Sequence, residues 1–390
     1  MNRVTPYLLN LGHALDHMFL LIFATAVTSI AREFGIAHWE DLMPYSVAAF
    51  FFFGLGALPA GKLGDQWGRR AMMIIFFAGI GASAILVSLT TSPLQLALAL
   101  ALMGCFAAIY HPVGIPMLVQ GTKRPGWTIG VSGLSGNMGI ALAAVVTGFL
   151  VKYLGWRMAF AIPGVVSIIC GVVFATYSSK ESAPPAKRKP TQEALSKVSL
   201  ARILFVMTLA ATSGGLLFNF STNSNYELLT ERFGDITNDP AQLGLLLSLV
   251  YAAASFAQLL VGRLIDRYSL KHLYLSVIVL QAPLLLLAAH VDGWLFYVIQ
   301  FLFMASIFGA IPFTDAMIVK FVDDRMRSRV SGMRLAVSFG ASSAAVWLIG
   351  PVVKQAGFNT LLWVMAGIAI VTFTVVSTMP NTPPAPPAKA

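Results

Sequence analysis

The chain has 390 residues, of which 57% are hydrophobic and 11% charged, and its mean hydropathy is +0.77. That leaves too few polar side chains to cover a water-soluble globule of this size, so the composition excludes a soluble protein and requires a membrane one. The formal net charge of +10 would suit a nucleic-acid binder, but the basic residues are gathered in alternate loops between apolar runs, as membrane topology demands.

Runs of about 20 apolar residues cross a hydrocarbon core of about 30 Å as helices, and twelve are predicted, the first over 6–31. Within it His13, Asp16 and His17 are spaced i, i+3, i+4, which sets all three on one helical face near the bilayer midplane. Ionisable groups at that depth face a cavity or one another. Two readings fit the trio: a proton-carrying site, or a hydrogen-bonded helix-packing cluster. The second and third spans, 43–64 and 71–91, are joined by a tight charged loop, Gly61-Lys62-Leu63-Gly64-Asp65-Gln66-Trp67-Gly68-Arg69-Arg70. The fourth, 94–120, carries Tyr110-His111-Pro112, where an imidazole sits beside a proline that frees backbone carbonyls. In the fifth, 127–152, Gly130, Gly133, Gly136 and Gly139 permit close approach of a neighbouring helix, and Asn137 either joins that packing or reaches a cavity. The sixth covers 156–178.

Residues 179–200, with three prolines and a basic run, read as a polar linker between an N-terminal six-helix bundle, 1–178, and a C-terminal one, 201–379. The seventh span, 202–228, ends in Asn219-Phe220-Ser221-Thr222-Asn223-Ser224-Asn225-Tyr226-Glu227, which is too polar to face lipid. This segment either unwinds along a cavity, with Asn219, Asn223 and Tyr226 as gate or substrate contacts, or lies beyond an early helix end at the surface. The eighth span, 241–263, leads into Gly262-Arg263-Leu264-Ile265-Asp266-Arg267, a weaker copy of the first charged loop 201 positions later. Spans nine to twelve are 271–290, 293–320, 328–353 and 357–379. Asp315 in the tenth and Arg334 in the eleventh are opposite intramembrane charges, read either as a structural ion pair or as a substrate or coupling contact. Pro380 onward is Pro-rich and reads as a disordered tail over 380–390. Pro112 to Val119 match Pro312 to Val319, and Val131-Ser132-Gly133 match Val330-Ser331-Gly332, so the duplicated unit is about 200 residues long.

Of the 26 Lys and Arg, only Arg32, Lys152, Arg157, Arg232 and Lys354 fall on one side and Arg334 within a span; the other 20 lie on the side of the termini. The positive-inside rule therefore places both termini in the cytoplasm. No cleavable signal peptide is expected, the first span being its own insertion signal. Cys105 and Cys170 both fall within spans, so they read as packing residues and no disulfide framework is expected.

The first charged loop resembles the signature loop between helices two and three of the major facilitator superfamily, G-x-L-x-D-x-x-G-R-[RK], at every specified position. Gly12-His13-Ala14-Leu15-Asp16-His17, Tyr110-His111-Pro112 and Ser135-Gly136-Asn137-Met138-Gly139 together look like the fosmidomycin-resistance-type branch. Two departures stand out: Val113 replaces the acidic residue common after His-Pro, and the first-helix pair reads Asp16-His17. Asp16 then takes a larger share of coupling. The resemblance implies an all-α membrane fold of twelve helices in two six-helix halves related by pseudo-two-fold symmetry, with helices one, four, seven and ten around a central cavity. It also implies alternating access gated by Gly61, Asp65, Gly68, Arg69 and Arg70, the Asp65 carboxylate capping the eleventh helix.

The expected function is proton-coupled efflux of a drug or metabolite, with His13, Asp16, His17 and His111 as coupling residues. Substrate contacts are then sought among Tyr110, His111, Asn137, Asn219, Asn223, Tyr226, Asp315 and Arg334. Uptake of a polar metabolite or organic anion is the first alternative, from the Asn-rich seventh span and Arg334. Transport of a transition metal or its chelate is the second, since His13, Asp16, His17 and His111 are acceptable ligands. A membrane-embedded enzyme or receptor is disfavoured, because no nucleophile and base pair up and no soluble domain is appended. No phosphate-binding loop is present, so no nucleotide cofactor is expected and a proton gradient drives the cycle. The expected partners are a small molecule and the lipid bilayer, not nucleic acid, in a monomer of the bacterial inner membrane.

Overall fold

The computed structural model describes residues 4–120, 125–179, 197–265, 267–321 and 324–379, and they are helical almost throughout. The linker and tail predicted at 179–200 and 380–390 lie almost wholly outside them. The first half is built from α1 (Val4–Glu33), α2 (Val47–Trp67), α3 (Arg69–Ser88), α4 (Pro93–Ala107) with α5 (Ile115–Val119), α6 (Pro125–Leu154) and α7 (Trp156–Tyr177). The second comprises α8 (Lys197–Arg232), α9 (Pro240–Ile265), α10 (Leu270–Ile278) with α11 (Gln281–Ala288), α12 (Gly293–Phe321) and α13 (Asp324–Ser377). Because α4 and α5 form one crossing, α10 and α11 another, and α13 two, the described residues make the twelve passes predicted, six in each half. The break in α13 comes at Gly357, whose φ of 73° no residue with a side chain adopts cheaply.

Helix α1 forms the centre of the first half. In its most apolar window 83% of residues are buried, against 28% for Leu270–Ala288 at the periphery. That placement depends on α6, which crosses α1 so closely that a methyl on Gly139 would overlap the Ala14 carbonyl oxygen. The glycine run therefore acts at Gly136 and Gly139. Gly130 and Gly133 do not serve that contact: Gly130 faces open space and Gly133 has only the Gln258 amide nearby.

The two halves meet firmly on the side opposite the termini. Thr28 Oγ1 at the end of α1 donates to Glu227 Oε1 of α8 at 2.7 Å. Lys152 at the end of α6 pairs with Asp239 before α9, and a methyl on Gly148 or on Gly244 would overlap the facing backbone. Lys354 pairs with Asp41 at 2.6 Å, beside the two short 3-10 turns, Trp39–Asp41 and Met43–Ser46, that lead into α2. Toward the termini the α6–α9 seam loosens, since methyls on Gly130 and Gly262 would meet nothing within 4 Å.

Helix α8 departs from expectation. It neither unwinds nor stops early but runs unbroken to Arg232, with Asn219 through Asn225 buried in the protein. Four of its polar side chains bond on their own helix, since Asn219, Thr222, Asn223 and Ser224 each donate to the carbonyl four residues back, at 2.6–3.1 Å, while Asn225 donates to Met304 Sδ and Ser221 Oγ is buried without a partner. Such back-bonding removes the need for outside partners and leaves the helical ladder intact.

Candidate functional site

Among the described residues, a cluster of buried ionisable groups lies where α1, α6 and the kinked fourth crossing meet. Pro112 has no N–H to give to the turn before it, and the backbone there widens into a π-helical turn, Tyr110–Gly114. The widened turn presents His111 toward α1. Its ring lies 5.0 Å from that of His13 and 5.6 Å from that of His17, edge-on to both. His111 Nε2 stands 3.6 Å from Asp16 Oδ2.

Around this core each ring is positioned by a neighbour. His13 Nδ1 bonds Ser132 Oγ of α6 at 2.9 Å, its Nε2 lies 3.2 Å from His17 Nε2, and its face stacks on Tyr110 at 4.6 Å. Tyr110 in turn donates to the Leu9 carbonyl at 2.9 Å and is fully buried, which makes it a wall that orients His13 rather than a surface open to substrate. Gly136 of α6 forms the floor, since a methyl there would stand 2.8 Å from His13 Nε2 and 2.9 Å from the His17 ring. Phe53 of α2 and Phe339 of α13, 4.5 Å apart, close over His111 from the two halves.

Asp16 is the exceptional member. It is 0% exposed, and neither carboxylate oxygen has a hydrogen-bond partner; His111 Nε2 also lacks one. Buried polar atoms are nearly always bonded, and leaving one unmade costs about 1–3 kcal/mol. A carboxylate held in this way can gain or lose a proton, or accept a cation, with a large change in local energy.

The other sequence-derived residues are distributed differently. Asn137 of α6 donates its Nδ2 to Gln258 Oε1 of α9, bridging the halves a turn from the histidines. Asn219 donates to Ser342 Oγ of α13 at 2.9 Å and so ties α8 to α13, while Asn223 bonds back to the Asn219 carbonyl and Tyr226 is buried. Arg334 donates to Thr314 Oγ1 at 2.8 Å. The side chain of Asp315 lies outside the described residues, and so does Asp266 of the second charged loop.

In the first charged loop, Gly68 turns the chain with a φ of 88°, and Gly61 packs against Pro112, which a methyl there would meet at 3.4 Å. Asp65 is exposed, and residues 322 and 323, immediately before the helix whose N-terminus it was expected to cap, lie outside the described residues. Arg70 is not a partner for Asp65. It donates to the Ser178 carbonyl at 3.0 Å and to the Ala175 carbonyl, fastening the end of α7 within its own half. Cations are favoured at such a helix C-terminus, which explains the choice. Arg69 reaches Gln120 Oε1 at 3.5 Å.

Sequence reading missed Ser132, Gln258 and the Thr28–Glu227 bond. Ser132 belongs to the Val131-Ser132-Gly133 repeat and was legible as a motif without a role. Gln258 had no signal beyond being a lone amide in an apolar span.

Comparison with known proteins supplies the family. The model of the Major Facilitator Superfamily matches residues 9–234 and 215–390. The chain is similar to the multidrug resistance protein MdtG of Proteus mirabilis, 22% identical over 88% of this chain and 87% of that one. It is likewise similar to MdtG of Dickeya zeae, 23% identical over 87% and 85%. Among solved structures it resembles a bacterial homolog of the human lysosomal transporter Spinster in an inward-facing, occupied conformation, with a TM-score of 0.76 and 14% identity over 97% and 98% of the two chains. It also resembles the nucleoside transporter NupG, with a TM-score of 0.73 and 17% identity over 96% and 99%. With its twelve passes in two halves and a buried ionisable cluster in one of them, the chain belongs to the Major Facilitator Superfamily and is a multi-pass secondary transporter of a small molecule.

Proposed function

We propose that this transporter is a proton-driven exporter of a drug-like molecule or metabolite in the bacterial inner membrane, with both termini in the cytoplasm, and that Asp16 and His111 carry the coupling proton. The observation behind this reading is the pair itself: a carboxylate fully removed from solvent, without a hydrogen-bond partner, 3.6 Å from an imidazole on a kinked crossing. The similarity to the MdtG proteins supports the efflux direction, and the clustering of Lys and Arg supports the orientation. With that orientation the firm contacts lie on the outer side and the conformation is closed to the exterior.

In the cycle so proposed, an ionised Asp16 in the membrane interior is costly, by about 2.5–3.5 kcal/mol on insertion scales. Taking up a proton removes that charge and eases passage of the halves through the occluded state. His111 exchanges the proton with Asp16 across a gap of 3.6 Å. His13 and His17 extend the relay along α1. Phe53 and Phe339 meet beside His111, so a change in the charge there is transmitted to the seam between halves. The test is transport in sealed vesicles under an imposed pH difference for wild type and His111→Ala. Loss of gradient-driven accumulation with retained substrate exchange supports the assignment; undiminished accumulation removes His111 from it.

A further inference from the structure

We propose that His13, His17 and His111 form a binding site for one divalent transition-metal ion of the zinc, cobalt or nickel class, with Asp16 as the charge that compensates it. The ligand nitrogens of the three rings lie within 4.8 Å of one another, although they come from α1 and from the fourth crossing, some 100 residues apart in the chain. His13 Nε2 and His17 Nε2 are 3.2 Å apart. Two imidazole nitrogens on a tetrahedral ion, each at about 2.0–2.1 Å, stand about 3.3 Å apart, so this edge of the site already has the spacing a metal requires.

The surroundings are those of a ligating cluster. His13 is held through its other nitrogen by Ser132 Oγ at 2.9 Å. With Nδ1 donating to the hydroxyl, Nε2 turns its lone pair into the cluster, the outer hydrogen bond that fixes the tautomer of metal-bound histidines. His111 Nε2 and both oxygens of Asp16 are buried without partners. A dication held by three neutral imidazoles would leave two positive charges inside the bilayer, and the carboxylate 3.6 Å from His111 offsets one of them. Gly136 keeps bulk off the His13–His17 edge. His17 and His111 are partly buried rather than sealed like Asp16. Imidazole donors with one carboxylate suit zinc, cobalt and nickel rather than magnesium or calcium, which take all-oxygen sets.

This inference does not rest on drug export, and its test needs no transport. Tag-free protein in detergent is titrated with Co2+, and the visible absorption of the bound ion is followed; Zn2+ is then added to displace it. The wild type is expected to take up one equivalent. His17→Ala and His111→Ala are expected to lose the band, Ser132→Ala to weaken binding about ten- to a hundredfold, and His272→Ala, in the exposed first turn of α10 in the other half, to bind as wild type does. Gel filtration identifies any variant that fails to fold, and His17→Gln is then read in its place. A wild type that binds no cobalt overturns the proposal, as does a band that keeps its full strength in both His17→Ala and His111→Ala.

Discussion

The meeting of α1 with α6 in the first half and the polar stretch of α8 against α13 in the second both bury a run of polar side chains at membrane depth, yet they treat it in opposite ways. On α8, Asn219, Thr222, Asn223 and Ser224 return their donors to their own helix, and Asn219 adds one bond to Ser342. On α1, Asp16 has no hydrogen-bond partner, only the His111 imidazole at 3.6 Å, and the three histidines depend on one another and on Ser132. A buried polar sequence is therefore not itself a sign of chemistry. Amides and hydroxyls can be discharged locally, whereas a carboxylate, which cannot donate to a backbone carbonyl when ionised, needs a partner from elsewhere.

The two regions should differ most at their glycines. Gly139→Ala drives a methyl into the Ala14 carbonyl, so α1 and α6 must part; a loss of about 1–3 kcal/mol is expected, seen as a lower melting temperature in detergent. Gly215→Ala on α8 meets its nearest neighbour, Ser342 Oγ, at an ordinary 3.4 Å and is expected to be neutral or stabilising. Equal losses at both positions would mean that the two contacts are equally tight, and the difference drawn here would fail.

The next largest effect is expected at Ser132. Ser132→Ala removes the bond to His13 Nδ1 and leaves a buried ring nitrogen unmade, which costs about 1–3 kcal/mol. Asn219→Ala orphans nothing comparable, because Ser342 Oγ still donates to the Ser338 carbonyl at 2.7 Å. Its cost should stay near the roughly 0.6 kcal/mol average of intramembrane hydrogen bonds. Chemical-denaturant melts of the two variants side by side distinguish these values; the reverse order would place the dependent cluster on α8.

The smallest effect is expected outside the membrane. Asp239 is held below the usual carboxylate range, first of all by its hydrogen bond from Lys152. A carboxylate so depressed stabilises the contact between the halves on the side opposite the termini at any pH above its unfolded value of about 3.9, and the contribution disappears only as pH falls through the lower folded value. Lys152→Ala should therefore leave the shape of the transport profile between about pH 5 and pH 8 unchanged, when rates are measured in vesicles buffered equally on both sides. A profile that changes shape would make this pair, rather than the α1 cluster, the pH-sensitive element.

Much of the architecture was legible in the amino-acid sequence. Hydropathy gave the twelve spans, and the i, i+3, i+4 spacing put His13, Asp16 and His17 together because helical geometry leaves no alternative. The Tyr110-His111-Pro112 motif gave the kink, since a proline cannot complete the ladder. What was illegible depended on contacts between distant residues. The fate of the α8 amides turned on rotamers that bond four residues back, and composition cannot distinguish that from a lining of water. Arg70 was expected at a loop latch, but the end of α7 lies within its reach and offers free carbonyls. Gln258 became visible only when α9 was laid on α6, where it meets Asn137.

Whether the carboxylate of α1 that lacks a hydrogen bond drives the cycle is decided by Asp16→Asn in proteoliposomes. Substrate accumulation under an imposed pH difference is measured beside substrate exchange with no gradient, and Asn223→Ala on α8 serves as the matched control. Asp16→Asn is expected to exchange substrate but no longer accumulate it, while Asn223→Ala does both. Accumulation by Asp16→Asn at the wild-type level would show that the coupling proton is carried elsewhere.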